Sequence, residues 1–139
     1  MIGYIETDGN VSLPLDKDGY FHTGDLAYRD EEGFLYIVGR CKDLIIRGGE
    51  NISPLRIQEK IVEMDGVENA YVLGVPSEKY GEEVGVCVQS STVTEAQIKE
   101  YLKAFLNKTE IPSRYVFVDK LPALAIGKPD KMSILKLFN

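Results

Sequence analysis

Two near-continuous apolar runs constrain this chain more than any other feature: AYVLGV (residues 70 to 75) and VGVCVQS (84 to 90), joined by the polar stretch PSEKYGEE. Apolar runs of that length with turn formers and charges between them are the pattern of two central strands. One helix is expected before the pair along the chain and another after it. Upstream, Ser53-Pro54 is a helix start: a Ser hydroxyl can accept from an early amide, and Pro at the first helical position gives up no bond it could have made. Ile57, Ile61 and Met64 follow at i, i+4 and i+7, so one stripe is buried and the spacing predicts a helix from Pro54 to about Met64, closed by Gly66. Downstream, Thr94 with Gln97 forms a capping box, and Ile98, Tyr101, Leu102, Phe105 and Leu106 carry the helical period onward.

Three more segments complete the element pattern. FLYIV (34 to 38) and DLIIR (43 to 47) read as strands separated by the polar break GRCK, and YVFVD (115 to 119) reads as another. PALAIGKPDK is a loop punctuated by Gly and Pro before a last apolar helix from about Asp130 to Phe138. Residues 1 to 33 are rich in turn formers (TDGN, DKDG, RDEEG) with short apolar pieces between, which predicts hairpins without a core of their own. Strand pairs mixed with helices that cover one sheet face make an α+β domain, a small mixed sheet with helices packed on it.

Composition removes several function classes. The chain has 139 residues, 44% of them apolar and 27% charged, with a formal net charge of -6. No 18-residue apolar run occurs, so no membrane span is expected. Acidic residues exceed basic ones and no Lys/Arg block stands out, against a nucleic-acid phosphate tracker. The opening MIGYIETDGN has neither a basic nor an apolar export region, which makes the cytoplasm the expected compartment. Cys41 and Cys87 are far apart, and His22 is the single histidine, so no metal site is expected.

The chemistry-bearing residues sit in loops. GGENISP places two side-chain-free residues directly before a helix N-terminus, where free amides and the helix dipole can hold an anion or a polar chain pressed to the backbone. The alternative is a tight turn whose glycines take positive φ. Neither Gly48-Gly49 nor Gly127-Lys128 completes a Walker A loop. Asp25 in HTGD offers a short carboxylate suited to a vicinal diol, or simply a bond to its own turn. Lys128 follows a glycine in an apolar loop, where an ammonium can neutralise charge that builds on a transferring phosphate or carboxylate, or can stand solvated.

The order of the blocks is more specific than any one of them. DGYFHTGDL, then GFLYIVGRCKDLIIRGGENISP, then VPSEKYGEEVGV, then LPALAIGK strongly resembles the C-terminal part of the adenylate-forming superfamily of acyl-CoA synthetases, luciferases and peptide-synthetase adenylation domains. The match runs from about Gly19 to Lys131, and GGENISP favours the acyl-CoA ligase branch. The resemblance implies a two-step reaction: a carboxylic acid and ATP, with Mg2+, give an acyl-adenylate and pyrophosphate, and the thiol of CoA then displaces AMP. It implies a lid that rotates between the steps, with residues 1 to 41 the β-rich tail of a missing N-terminal adenylation domain and 42 to 139 the lid. By the same resemblance Asp25 holds the ribose hydroxyls, Arg40 contacts the nucleotide, Lys42 is the hinge, Gly48 and Gly49 let the pantetheine chain of CoA pass, and Lys128 is the catalytic lysine.

The chain also departs from that pattern. Leu124 and Ile126 stand where hydroxyl residues are common before Gly-Lys, and Pro129 follows Lys128. Arg56 and Gln58 replace acidic residues after Ser53-Pro54, and Arg56 in the first turn is expected to be solvated or to meet an anion. Two other functions fit the same residues: a free-standing α+β binding module that kept the lid fold without catalysis, and the lid of an enzyme that loads a carrier-protein thiol. An isolated chain lacking the phosphate loop and acyl pocket is not expected to turn over substrate.

Overall fold

In a computed structural model of the chain, which describes residues 4–139, the turn-rich start forms antiparallel pairs. Strands β1 (Tyr4–Ile5) and β2 (Val11–Ser12) make a minimal hairpin, and β3 (Asp25–Arg29) pairs with β4 (Leu35–Arg40). A bulge between Leu26 and Ala27 shifts this second register so that Asp25 still faces Arg40. The predicted strand 34 to 38 thus runs further, to Arg40. The predicted four-residue break shrinks to a 3-10 turn over Cys41–Asp43.

Beyond that turn, β5 (Ile45–Arg47) and β6 (Glu50–Ile52) form a hairpin around Gly48-Gly49. The sequence places GGEN in a loop, whereas Glu50 to Ile52 is a strand, because two glycines suffice to reverse the chain. Helix α1 (Pro54–Val62) follows, then β7 (Asn69–Ser77), β8 (Gly81–Gln89), α2 (Glu95–Leu102), β9 (Arg114–Val118) and α3 (Lys131–Lys136). Four of the five strands predicted from apolar patterning thereby appear within two residues of their expected limits, and β8 begins three residues before its expected start.

Strand β8 organises the sheet. Its whole length pairs antiparallel with β7, from Ser77↔Gly81 to Asn69↔Gln89. Its other edge is divided: β5 meets it at Arg47↔Gly81, and β9 runs parallel to it from Gly85↔Arg114 to Gln89↔Val118. The sheet is mixed, in order β6-β5-β8-β7 with β9 beside β8.

The expectation of helices on one face is corrected. Ala70, Val72, Val84, Val86 and Val88 point to a cluster with Ile57, Ile61, Ile98 and Leu102 from α1 and α2. Leu73, Val75 and Cys87 point the other way, into a cluster with Leu121, Ile134 and Phe138. Side chains alternate across a strand, so an apolar run without polar alternation needs cover on both faces. Burial also pushes the Cys87 thiol up to about 11, which makes it a small hydrophobe and an inert one.

Caps explain the helix ends. The capping box predicted at Thr94 is present, its hydroxyl accepting from the Gln97 amide while the Gln97 side chain accepts from the Thr94 amide at 2.9 Å. Ser53 occupies the cap position of α1 but does not cap it; its hydroxyl donates to the Val38 carbonyl at 2.6 Å instead, tying α1 to β4. All three helices are shorter than predicted. Met64, Leu106 and Phe138 keep their place in the apolar clusters from the turn after each helix.

Candidate functional site

Asp25 and Arg40 are opposite each other at the open end of the β3–β4 hairpin, and the structure joins them directly. Arg40 Nε donates to Asp25 Oδ1 at 2.9 Å, and Arg40 Nη2 donates to the Thr23 carbonyl at 3.0 Å. The Asp25 amide donates to Thr23 Oγ1 at 3.1 Å. Both side chains remain partly exposed. One carboxylate oxygen is engaged by the guanidinium and Oδ2 keeps its lone pairs, so the pair can accept from a sugar hydroxyl while presenting a cation beside it. Their proximity was missed in the sequence because it depends on hairpin register, although both residues were named.

Lys42 lies at the centre of the 3-10 turn between β4 and β5. The backbone on either side is extended, Arg40 at φ -121° and Leu44 at φ -56° with ψ near 140° for both. Asp43, the next residue, accepts from Lys131 Nζ at 3.5 Å and helps line a cavity of about 230 Å³ with Gly39, Arg40, Pro54 and Tyr71. The hinge candidate is therefore a single short turn, and the C-terminal helix touches its far side.

Gly48 and Gly49 have φ of 59° and 88°, both in the left-handed region. A two-residue loop with two such residues matches the right-handed twist of a hairpin, and glycine takes this conformation without steric cost. A Cβ on Gly49 would meet nothing within 4 Å, so backbone conformation rather than crowding requires glycine here. Beside the turn, Arg47, Gly48, Glu50, Tyr80, Lys108 and Thr109 enclose a cavity of about 360 Å³. Arg47 is fixed there by a bond to the Thr109 carbonyl at 2.9 Å and by the Tyr80 ring, 4.9 Å from its guanidinium carbon. Arg56 stands apart from this cavity; its guanidinium meets an anion of the chain itself, Glu110 at 3.2 Å, and donates to the Phe105 carbonyl, while the side chain stays 56% exposed to solvent.

Lys128 stands in a tight loop closed by the Ala123↔Pro129 bridge, with the Leu124 amide donating to the Lys128 carbonyl at 2.8 Å. Its side chain is exposed. Among the described residues no hydrogen bond or ion pair holds its ammonium. Pro129 ends the loop and Asp130 caps α3, accepting from the Ser133 amide at 3.2 Å. Leu124 and Ile126, the departures noted in the sequence, are exposed as well, at 48% and 74%.

These groups are not brought together into one site. The diglycine turn lies where β8 begins, with Arg47 opposite Gly81 and the Gly48 amide donating to the Tyr80 carbonyl at 2.8 Å. The lysine loop lies where β8 ends, where Gly127 and Pro129 share a cavity with Asn69 and Gln89. The nine residues of β8 separate them, a distance of roughly 27 Å at strand rise.

The family described as AMP-binding enzyme C-terminal domain matches residues 56–128, just over half of the chain, and the chain belongs to that family. It is 42% identical over 123 residues to an oxalate–CoA ligase of Arabidopsis thaliana, which covers 86% of this chain and 24% of the relative. Among solved structures, ATP-bound MatB from Rhodopseudomonas palustris superposes with a TM-score of 0.81 at 37% identity, covering 96% of this chain and 27% of that one. The o-succinylbenzoate CoA synthetase of Bacillus subtilis, in complex with its acyl-adenylate intermediate, superposes with a TM-score of 0.78 at 30% identity, covering 94% and 32%. The chain spans about a quarter of the length of the curated relatives it matches. Its fold is that of the C-terminal domain of adenylate-forming enzymes, and the relatives that share it include CoA ligases. No helix among the described residues is long and apolar enough to cross a membrane.

Proposed function

We propose that this chain is the C-terminal part of an ATP-dependent acid–thiol ligase, residues 1 to 41 belonging to the larger adenylating domain and 42 to 139 forming its lid. The reaction is that of a carboxylic acid with ATP to give an acyl-adenylate and pyrophosphate, followed by attack of the CoA thiol and departure of AMP. The observation that carries this reading is the placement of the lysine loop and the diglycine turn at opposite ends of one strand pair. A rigid body with one functional end at each pole can serve a single pocket only by turning over, and the Cys41–Asp43 turn is where the chain can rotate.

In the first orientation Lys128 reaches the carboxylate and the α-phosphate. Its ammonium neutralises the charge that grows as the carboxylate oxygen attacks phosphorus and pyrophosphate leaves. Asp25 accepts from the ribose hydroxyls and Arg40 holds the carboxylate of Asp25 in place while contacting the nucleotide. In the second orientation the Gly48-Gly49 edge admits the pantetheine chain, because no Cβ keeps it from the backbone. Arg47 and Lys108 complement the phosphates of CoA. Magnesium enters with ATP in this reading. Among the described residues no group of three or more His, Cys, Asp or Glu could hold a metal ion.

The test joins this chain to its adenylating domain and separates the half-reactions. Lys128→Ala is expected to lower carboxylate-dependent pyrophosphate release by at least about a hundredfold, the scale of one lost transition-state charge contact. The same variant should still convert supplied acyl-adenylate and CoA to thioester. Unchanged pyrophosphate release would remove Lys128 from its role. Lys42→Pro, which fixes φ near -65°, is expected to block one half-reaction and spare the other; equal loss of both would contradict the hinge.

A further inference from the structure

The hairpin that carries the diglycine turn is anchored at its base by Ile45 and Ile52 in the apolar cluster and near its tip by bonds of Arg47 and Glu50 to Thr109, but its ladder to the sheet is short. Strand β5 shares one residue pair with β8, Arg47↔Gly81, and the Gly48 amide adds a bond to the Tyr80 carbonyl. One residue earlier, the ladder gives the Ile46 amide no partner on β8. Its partner is a side chain: Glu82 Oε2 accepts from it at 2.7 Å. On its other side the same carboxylate lies against Gly74 of β7. A Cβ built on Gly74 would fall 2.8 Å from Glu82 Cδ and Oε1 and 2.9 Å from Oε2.

Gly74 is therefore glycine for a reason unrelated to backbone conformation. Its φ is not positive, and it sits in the middle of a regular strand opposite Val84. The missing Cβ makes the seat for the carboxylate. An anion placed between an amide donor of β5 and the bare backbone of β7 clamps the hairpin to the sheet two residues ahead of the turn. A charge-assisted bond of this kind is stronger than a neutral one.

We infer that Glu82, seated on Gly74, is a positioning residue that sets where the Gly48-Gly49 edge stands, and so governs the second half-reaction without touching either substrate. This rests on reading that edge as the passage of the thiol acceptor. The role belongs to the seat as a pair: a carboxylate of the right reach and a strand position with no side chain beneath it.

The pair can be tested from both sides in the full-length enzyme. Glu82→Ala removes the acceptor; Gly74→Ala keeps it but displaces it, while leaving the strand backbone unstrained. Each is expected to raise KM for CoA in the thioester step by about tenfold, the factor matching one lost charged hydrogen bond, with pyrophosphate release changed less than twofold. Combining them should add little to either alone, since both remove one contact. Glu82→Gln keeps a carbonyl oxygen in reach and is expected to restore most of the effect. Hydrogen exchange at the Ile46 amide supplies a reading independent of turnover, fast in Glu82→Ala and Gly74→Ala and slow in Glu82→Gln. Slow exchange at Ile46 in Glu82→Ala, additive effects of the two alanines, or equal losses in both half-reactions would overturn the inference. A bulky replacement of Gly49 that leaves the thioester step intact would overturn the underlying reading of the edge and leave the clamp itself to the exchange data.

Discussion

Residues 4 to 40 and residues 45 to 139 contain apolar side chains in comparable variety, yet only the second region encloses them. Every member of the two apolar clusters lies between Ile45 and Phe138. In the first region Ile5, Tyr20, Phe34, Leu35 and Ile37 are 60% or more exposed. The difference is one of layers. Strands β7 and β8 have α1 and α2 on one face and α3 on the other, whereas the β3–β4 hairpin has nothing packed across most of its apolar surface and owes its order to its own ladder and to the stacked rings of Tyr28 and Tyr36, 5.0 Å apart. A hairpin alone is marginal in water. The contrast teaches that apolar side chains are enclosed where the sheet is covered on both faces, and that the first region leaves an apolar surface open to the proposed adenylating domain.

The comparison breaks most sharply at matched residues. Ile61 is fully buried on the inner face of α1, and Ile61→Ala removes a side chain that neighbours cannot replace, so a loss of about 2–5 kcal/mol is expected in denaturant unfolding of the 139-residue chain. Ile37, 60% exposed on β4, should cost within about 0.5 kcal/mol on the same substitution. Equal costs would mean that the first region has a core the contrast denies it.

The same division decides what was legible in the sequence. The α+β class, the central strand pair, the Thr94 capping box and the diglycine turn could all be read because each depends on near neighbours along the chain. The second covered face could not, because a helix as short as Lys131–Lys136 shows too little period to tell where its apolar stripe points. Nor could the bond from Ser53 to Val38, since a Ser before a helix reads as a cap whether or not another acceptor waits nearby. Among the candidate site residues, glycines and charges in loops were recognisable singly. Their separation along β8, the Asp25–Arg40 pairing and the seat of Glu82 on Gly74 arise from strand register, which no local pattern records.

A smaller effect sharpens the contrast at the junction. Thr94→Ala removes a cap from a helix within the second region and should lower its global stability by about 1 kcal/mol. Ser53→Ala removes no cap, and instead severs the hydroxyl bond to β4. Faster amide exchange confined to β3 and β4, with the unfolding midpoint of the second region unchanged, is the expected result. A midpoint shift as large as that of Thr94→Ala would mean that Ser53 supports α1 after all.

The smallest expected effect concerns acid. Glu83 on β8 accepts from Ser77 Oγ of β7 and from Ser113 Oγ just before β9, each at 2.8 Å, and these hydroxyls, Ser113 foremost, hold its carboxyl below the usual glutamate range. Asp16 in the first region is also held low, chiefly by the Tyr20 amide, but its bonds stay within its own loop and reach only as far as His22. A carboxyl whose folded pKa lies below its unfolded one favours the folded state fully above the unfolded value, about 4.3 for Glu, and loses that contribution as pH falls through the folded value. Glu83→Gln is therefore expected to flatten the fall in stability of the second region below about pH 5. Asp16→Asn should leave that curve unchanged, because its loop contributes nothing to the apolar clusters whose unfolding is measured. Parallel acid limbs for Glu83→Gln and the parent chain would show that the two serines do not couple the strands, and an altered limb for Asp16→Asn would show that the two regions unfold as one.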